Sequence, residues 1–253
     1  MQFEIAACTD VGTRKKVNQD SLHVCVAQTK LGEVIMAVIC DGVGGLSYGE
    51  IASSKTVYEF KKWFQYGLPD LIEKEITISE LEQEWRTLIA YINRKIVKIS
   101  EAQSSQMGTT LTAVIFLQGQ YLVVQIGDSR FYEMYDGQLI QITTDQTLVE
   151  REVQLGHITR EQGMSDPRRH VLLQCIGLNE IVEPQFLIGK QNGTANYLLC
   201  TDGFYNSLMP QEIYDLCWIK GNKEELQMQL LNGMEICKTR GEQDNISAIL
   251  LGT

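Results

Sequence analysis

Four apolar runs in this chain begin or end at a carboxylate, and that pattern restricts the fold more than any other feature. Val34-Ile35-Met36-Ala37-Val38-Ile39-Cys40 stops at Asp41, with Gly42, Gly44 and Gly45 close behind. Tyr121 to Ile126 leads through Gly127 to Asp128, Asn196 to Thr201 leads to Asp202, and Asp244-Asn245 precede Ile246 to Leu250. Such short runs, rich in β-branched residues, read as strands buried on both faces, and none is long enough to cross a membrane as a helix. A charge at the end of a buried strand leaves the core and faces a cleft. Glycines after it let the backbone approach a ligand with no Cβ in the way. One Asp-Gly is an ordinary turn. Four carboxylates at strand ends, with no Cys/His pairs at ligand spacing, point to a hard-cation site built from oxygens.

The 253 residues suffice for a substantial core, and a net charge of −10 argues against nucleic acid or an anionic membrane as partner. The seven cysteines are odd in number, form no Cys-x-x-Cys and lie partly within apolar runs. They read as reduced thiols of a cytoplasmic protein. Met1 to Ala6 lacks the basic and apolar regions of a signal peptide.

In chain order, Phe3 to Cys8 reads as a strand and Thr9 to Asp20 as a polar loop carrying Arg14, Lys15 and Lys16. Leu22 to Gln28 and Glu33 to Cys40 form a hairpin, and residues 47–64 a helix. Pro69-Asp70 breaks the chain, and Ser79-Glu80-Leu81-Glu82 resembles a capping box opening a second long helix. That helix carries the stripe Leu81, Trp85, Leu88, Ile89, Ile92, Ile96 and Ile99. Thr112 to Leu117, Tyr121 to Ile126, Phe131 to Tyr135 and Leu139 to Ile142 read as an antiparallel meander with short Gly-containing links. A helix over Asp145 to Leu155, a polar mobile surface segment from Gly156 to His170, and strands over Val182 to Ile188 and Tyr197 to Cys200 follow. Helices over Pro210 to Cys217 and Lys223 to Cys237 precede the last strand. Strands in consecutive runs, with helices in pairs, indicate an α+β fold of two packed sheets covered by helices, as one domain over residues 1–253.

Seven motifs in this order resemble the metal-dependent (type-2C) protein serine/threonine phosphatases in their compact bacterial form. They are Gly12…Asn18-Gln19-Asp20-Ser21, Asp41-Gly42-Val43-Gly44-Gly45, Gly49-Glu50-Ile51-Ala52-Ser53, Gly108-Thr109-Thr110, Gly127-Asp128-Ser129-Arg130, Thr201-Asp202-Gly203 and Asp244-Asn245-Ile246-Ser247. The resemblance spans essentially the whole chain. It implies a four-layer α-β-β-α sandwich with two antiparallel sheets and a centre of two Mn²⁺ or Mg²⁺ ions at one edge. By the same resemblance Asp41 bridges the metals, the Gly42 carbonyl binds the second, and Asp202 and Asp244 hold the first. Asp20 acts through water, Asn245 orients Asp244, and Asp128 with Asp202 binds a labile third metal. A water bridging the two ions would attack phosphoserine or phosphothreonine. Gly156 to Gly177, within a segment of about residues 145–180, corresponds to the family's variable flap. Phosphoprotein substrates, an opposing bacterial Ser/Thr kinase and a monomeric state are also implied.

The chain departs from the family pattern at three points. Lys15, with Arg14 adjacent, stands where the family usually has a phosphate-binding Arg, and Lys lacks the bidentate fork. Gln19 replaces a frequent Glu, weakening the second metal's water shell. No His follows Asp41-Gly42, which leaves the general acid unassigned, and His23, His157 and His170 read as surface or packing residues. Cys-x5-Arg, the signature of thiol phosphatases, is absent. The readings weighed are an active phosphatase, with Asp41, Asp202 and Asp244 as catalytic residues, a silent phosphatase-like module favoured by Lys15 and Gln19, and another two-metal hydrolase such as a nuclease. The acidic charge and the lack of basic patches count against the last.

Overall fold

In the computed structural model, which describes residues 3–43, 46 and 48–252, period-two alternation sorts the apolar strand residues into three cores. Gly44 and Gly45 of the glycine cluster lie outside the described residues. Chain order begins with β1 (Glu4–Asp10), β2 (Ser21–Thr29), β3 (Gly32–Cys40), α1 (Gly49–Tyr66), α2 (Leu68–Glu73) and α3 (Ile78–Ala102). Next come β4 (Leu111–Leu117), β5 (Gln120–Ile126), β6 (Arg130–Tyr135), β7 (Gln138–Gln141), α4 (Leu148–Gln154) and α5 (Arg160–Ser165). The chain ends with β8 (Gln185–Lys190), β9 (Asn196–Cys200), α6 (Asp202–Tyr205), α7 (Pro210–Cys217), α8 (Lys223–Thr239) and β10 (Ile246–Gly252).

Two antiparallel sheets result, ordered β2-β3-β4-β5-β8 and β1-β10-β9-β6-β7. Along β3, Val34, Met36, Val38 and Cys40 face the α1–α3 layer, where Phe60 and Trp85 pack edge to face. The alternate residues Ile35, Ala37 and Ile39 face the second sheet and meet Phe131, Tyr197, Leu199 and Ile249 between the sheets. On the far side Leu198, Cys200, Ala248 and Leu250 pack beneath α7 and α8. Helices therefore cover both sheets of an α+β sandwich, and central strands such as β3 and β4 are apolar because both faces are covered.

The structure departs from several expectations. The long helix is capped two residues earlier than Ser79: Thr77 is the cap, with Glu80 closing the box. Pro69 lies in the first turn of α2, where its missing N–H has no intrahelical partner to lose. The last of the 182–188 strand shifts to Gln185–Lys190, and the helix expected from Asp145 starts only at Leu148. Asp145 is instead gripped by Arg130, while Gln146 exchanges backbone bonds with Gly127 and Leu173. The polar segment after Gly156 contains α5, opened by a Thr159/Gln162 capping box.

The expected meander also divides. β5 pairs with β4 and β8, and β6 pairs with β7 and β9, so the chain passes from one sheet to the other at Gly127-Asp128-Ser129. Gly127 takes φ +95°, and a Cβ there would approach the Thr110 side chain to 2.6 Å. This crossing sets Asp128 at the edge shared by both sheets.

Candidate metal centre

Asp41, Asp128, Asp202 and Asp244, the four carboxylates of the sequence pattern, lie at that shared edge. Ser21 pairs with Cys40 and Leu111 with Ile126 in one sheet, while Asp10 pairs with Ile246 and Arg130 with Cys200 in the other. Asp20, Asp41, Asp128, Asp202 and Asp244 each adjoin one of these paired ends. Tilting any one of them would require shifting a buried ladder.

Hydroxyl groups hold the floor. The Asp41 N–H donates to Thr110 Oγ1 (2.9 Å), and the Asp41 carbonyl accepts from Thr110 N (2.8 Å) and Thr109 Oγ1 (2.8 Å). Thr110 Oγ1 in turn meets Ser129 Oγ at 2.8 Å. Asp20 is buried, and Thr201 Oγ1 donates to its Oδ2 at 3.0 Å, while Ser247 N donates back to Thr201 Oγ1 at 3.1 Å. Gly42 donates its N–H to the Gln19 carbonyl (3.1 Å), and a Cβ at Gly42 would come within 2.7 Å of that oxygen. The close approach therefore demands glycine.

Electrostatically the floor is incomplete by itself. Asp20 Oδ1 is buried with no hydrogen-bond partner. Burial, then the charges of Asp202 and Asp244, push the Asp20 carboxyl up to about 7 against the lowering effect of its hydroxyl donors. Asp41 keeps partial exposure to the cleft, yet the protein crowds its carboxyl. Its pKa rises well above the carboxylate range through desolvation and through Asp20, Asp202, Asp128 and Asp244. Desolvation and Asp202 raise Asp128 likewise, with Arg130 opposing. Like charges gathered out of water need a compensating cation. An orphaned carboxylate oxygen beside four more oxygens suits a hard divalent ion such as Mn²⁺ or Mg²⁺. Among the described residues no three His, Cys, Asp or Glu side chains yet converge as one closed coordination set. Two basic side chains stand against the carboxylates: Lys15 Nζ lies 3.0 Å from Asp244 Oδ1, and the His170 imidazole Nδ1 lies 3.6 Å from Asp202 Oδ2.

A cavity of about 640 Å³ brings together Arg14, Lys15, Asp41, Asp128, Asp202 and Asp244. Both expected phosphate-binding cations line the cleft, Lys15 engaged by Asp244 and Arg14 donating to Gln243 Oε1 at 2.7 Å. Asn245, expected to orient Asp244, donates its backbone N–H to Asp244 Oδ1 at 2.8 Å. Its side chain instead fastens the Val11–Gln19 loop, accepting from Gln19 N and donating to the Val11 and Val17 carbonyls. Gln19 Nε2 donates to Glu50 Oε2 at 3.2 Å.

His170, expected at the surface or in packing, is exposed and also lines the cavity wall beside Asp202. Leu148 N–H to the Val171 carbonyl (2.8 Å) folds that stretch back toward the carboxylates. Thr109, Thr110, Ser129 and Thr201 carry no expected role from sequence, although all four lie in quoted motifs and Ser129 and Thr201 sit beside an Asp.

Residues 12–232 match the Protein phosphatase 2C family. Serine/threonine phosphatase stp of Listeria welshimeri is 29% identical over 245 residues, covering 96% of this chain and 93% of that protein. Among solved structures, Stp1 from Staphylococcus aureus superposes with a TM-score of 0.87 at 27% identity, over 100% of this chain and 96% of that one. The catalytic domain of serine/threonine protein phosphatase PstP, solved in complex with two manganese ions, gives 0.77 at 27% identity, over 99% and 97% of the two chains. A match over most of the sequence, with the same two-sheet architecture and the carboxylates gathered at one edge, makes this chain a member of the Protein phosphatase 2C family.

Proposed function

We propose that the protein removes phosphate from phosphoserine and phosphothreonine in protein substrates, opposing a bacterial Ser/Thr kinase, with Mn²⁺ or Mg²⁺ as cofactor. The observation that carries this reading is the buried carboxylate floor with its orphaned Asp20 oxygen. Asp41 and the Gly42 carbonyl, Asp202 and Asp244 would hold two ions, with Asp20 behind them and Asp128 and Asp202 available to a third. The ions would acidify a water and neutralise phosphoryl charge, the two requirements of phosphate-monoester hydrolysis.

The chain's own residues supply the rest. Thr109 and Thr110 fix the Asp41 backbone, Ser129 braces Thr110, and Thr201 holds the Asp20 carboxylate, so these groups stand preorganised. Arg14 and Lys15 provide positive charge for the phosphate, Lys15 as a point charge that must leave Asp244 to act. His170 and Asn206 border the same cavity and can hydrogen-bond a phosphate ester or its leaving group. Residues 145–180 would form the flap over the site.

The Lys15–Asp244 ion pair favours one competing reading, a silent phosphatase-like module in which the protein's own cation stands in for a metal. Hydrolysis of p-nitrophenyl phosphate in EDTA, Mg²⁺ and Mn²⁺ separates the two. Metal-dependent turnover is expected; a folded protein inert in every metal would leave only the binding module.

A further inference from the structure

A second cavity, of about 550 Å³, opens beside the carboxylate cleft and shares Asp128, His170 and Asn206 with it. It lies between the α4–α5 segment and the edge formed by β6, β7 and α7. Leu139, Val149, Val153, Leu208 and Ile213 give it apolar walls. Met164 on α5 is 76% exposed at its lip, and Met209, next to the lining residue Pro210, is 69% exposed. Two exposed methionines flanking an apolar hollow form an adaptable surface, since an unbranched thioether can repack around different side chains. The cations of the groove are not equivalent. Arg130 is committed to Asp145, and Arg160 reaches Glu150. Arg169 is exposed, lines the cavity beside His170, and has no carboxylate partner among the described residues.

We infer that this groove takes the stretch of a phosphoprotein adjoining the phosphorylated residue, with an apolar side chain between α4 and α7 and an acidic side chain on Arg169. The inference rests on the phosphatase reading and adds a sequence preference to it. Continuity argues for this occupant: a chain whose phosphate sits over Asp41 and Asp128 must leave the cleft, and the groove begins at Asp128. Charge argues the same way, because on a protein of net charge −10 an uncommitted arginine at the mouth of an acidic site selects for a carboxylate rather than a cation. A free small molecule or a second copy of this chain would have no reason to align with the cleft.

The test uses phosphothreonine peptides carrying Ala, Leu, Asp or Lys at each of the three positions on either side of the phosphoresidue. Turnover of p-nitrophenyl phosphate, too small to reach the groove, normalises each protein for its metal loading. Expected is a rise of about tenfold in kcat/KM for Leu at one position and Asp at a neighbouring one, the scale of hydrophobic-pocket discrimination. Met164→Glu should flatten the Leu preference, and Arg169→Glu should exchange the Asp preference for Lys. Fluorescence anisotropy of the same peptides on Asp202→Asn protein should rank them in the same order without turnover. A flat peptide profile alongside normal p-nitrophenyl phosphate hydrolysis would overturn the groove alone, as would preferences unchanged in both variants. Absence of turnover on every substrate would overturn the phosphatase reading with it.

Discussion

Asp41 and its supporting hydroxyls sit at the ends of strands buried on both faces, whereas Arg169 and His170 hang from a segment fastened chiefly at its borders. In the floor, five carboxylates follow from sheet register, and Asp20, Asp41 and Asp128 rest against the buried Thr201, Thr110 and Tyr205. In the overhanging segment, Leu148 to Val171, Gln146 to Leu173 and Thr109 to Ile176 secure the margins, and local caps at Thr147 and Thr159 shape the interior. Leu155, Met164, Val171, Leu173, Leu178 and Ile181 there are all exposed. The contrast teaches a division of labour. On the proposed function, chemistry would lie where a shift would break the core, and selection where sequence can change without repacking it.

The largest effect should come from removing a floor charge. Asp41→Asn should lower Mn²⁺-dependent turnover by about a thousandfold, on the scale of losing a preorganised electrostatic group. The same change should not destabilise the protein in EDTA, because it removes a desolvated charge repelled by its neighbours. A rise in Tm of about 2–4 °C, the shift that roughly 1 kcal/mol produces in a chain of this size, is expected by calorimetry. Mn²⁺ should raise the Tm of the wild type but hardly that of the variant. A variant that melts well below wild type in EDTA would break the contrast, since the floor would then be structural.

Thr110→Val comes next. It conserves shape but deprives the Asp41 N–H of its acceptor, which should cost about 1–3 kcal/mol in urea unfolding. In the overhanging segment, Thr147→Ala removes the cap of α4 and should cost about 1 kcal/mol. That loss should emerge as roughly fivefold faster hydrogen exchange at the Glu150 amide, with exchange in β3 and β4 unchanged. Uniform acceleration through the sheets would show that the segment and the core unfold together. Smallest, Lys15→Arg should lower KM for a phosphopeptide by about threefold through bidentate contact, with kcat nearly constant.

The floor was legible in the sequence because burial on both faces forces an apolar run, and a charge can stand only where that run leaves the core. Cys40-Asp41, Cys200-Thr201-Asp202 and Asp244-Asn245-Ile246 each carry that mark. The crossing at Gly127 was not legible as a crossing: a short Gly-containing link between two strands looks like a hairpin, and period-two alternation does not say which sheet a strand joins. The start of α3 was ambiguous for a similar reason, since Thr77…Glu80 and Ser79…Glu82 both satisfy the capping-box spacing, and only the structure's Thr77–Glu80 bonds choose between them. His170 was beyond local reading. It lies 32 positions before Asp202 in sequence, and their nearness depends on the backbone return at Leu148 and Val171.

The central claim is that strand-end carboxylates bind cations in order to hydrolyse phosphate esters. It is tested most directly by phosphate release from a phosphothreonine peptide, comparing wild type with Asp202→Asn in EDTA and after addition of Mn²⁺. The account predicts release from the wild type only when the metal is present, and none above background from the folded variant. Equal release by the two proteins, or none from folded wild type in Mn²⁺ or Mg²⁺, would contradict it.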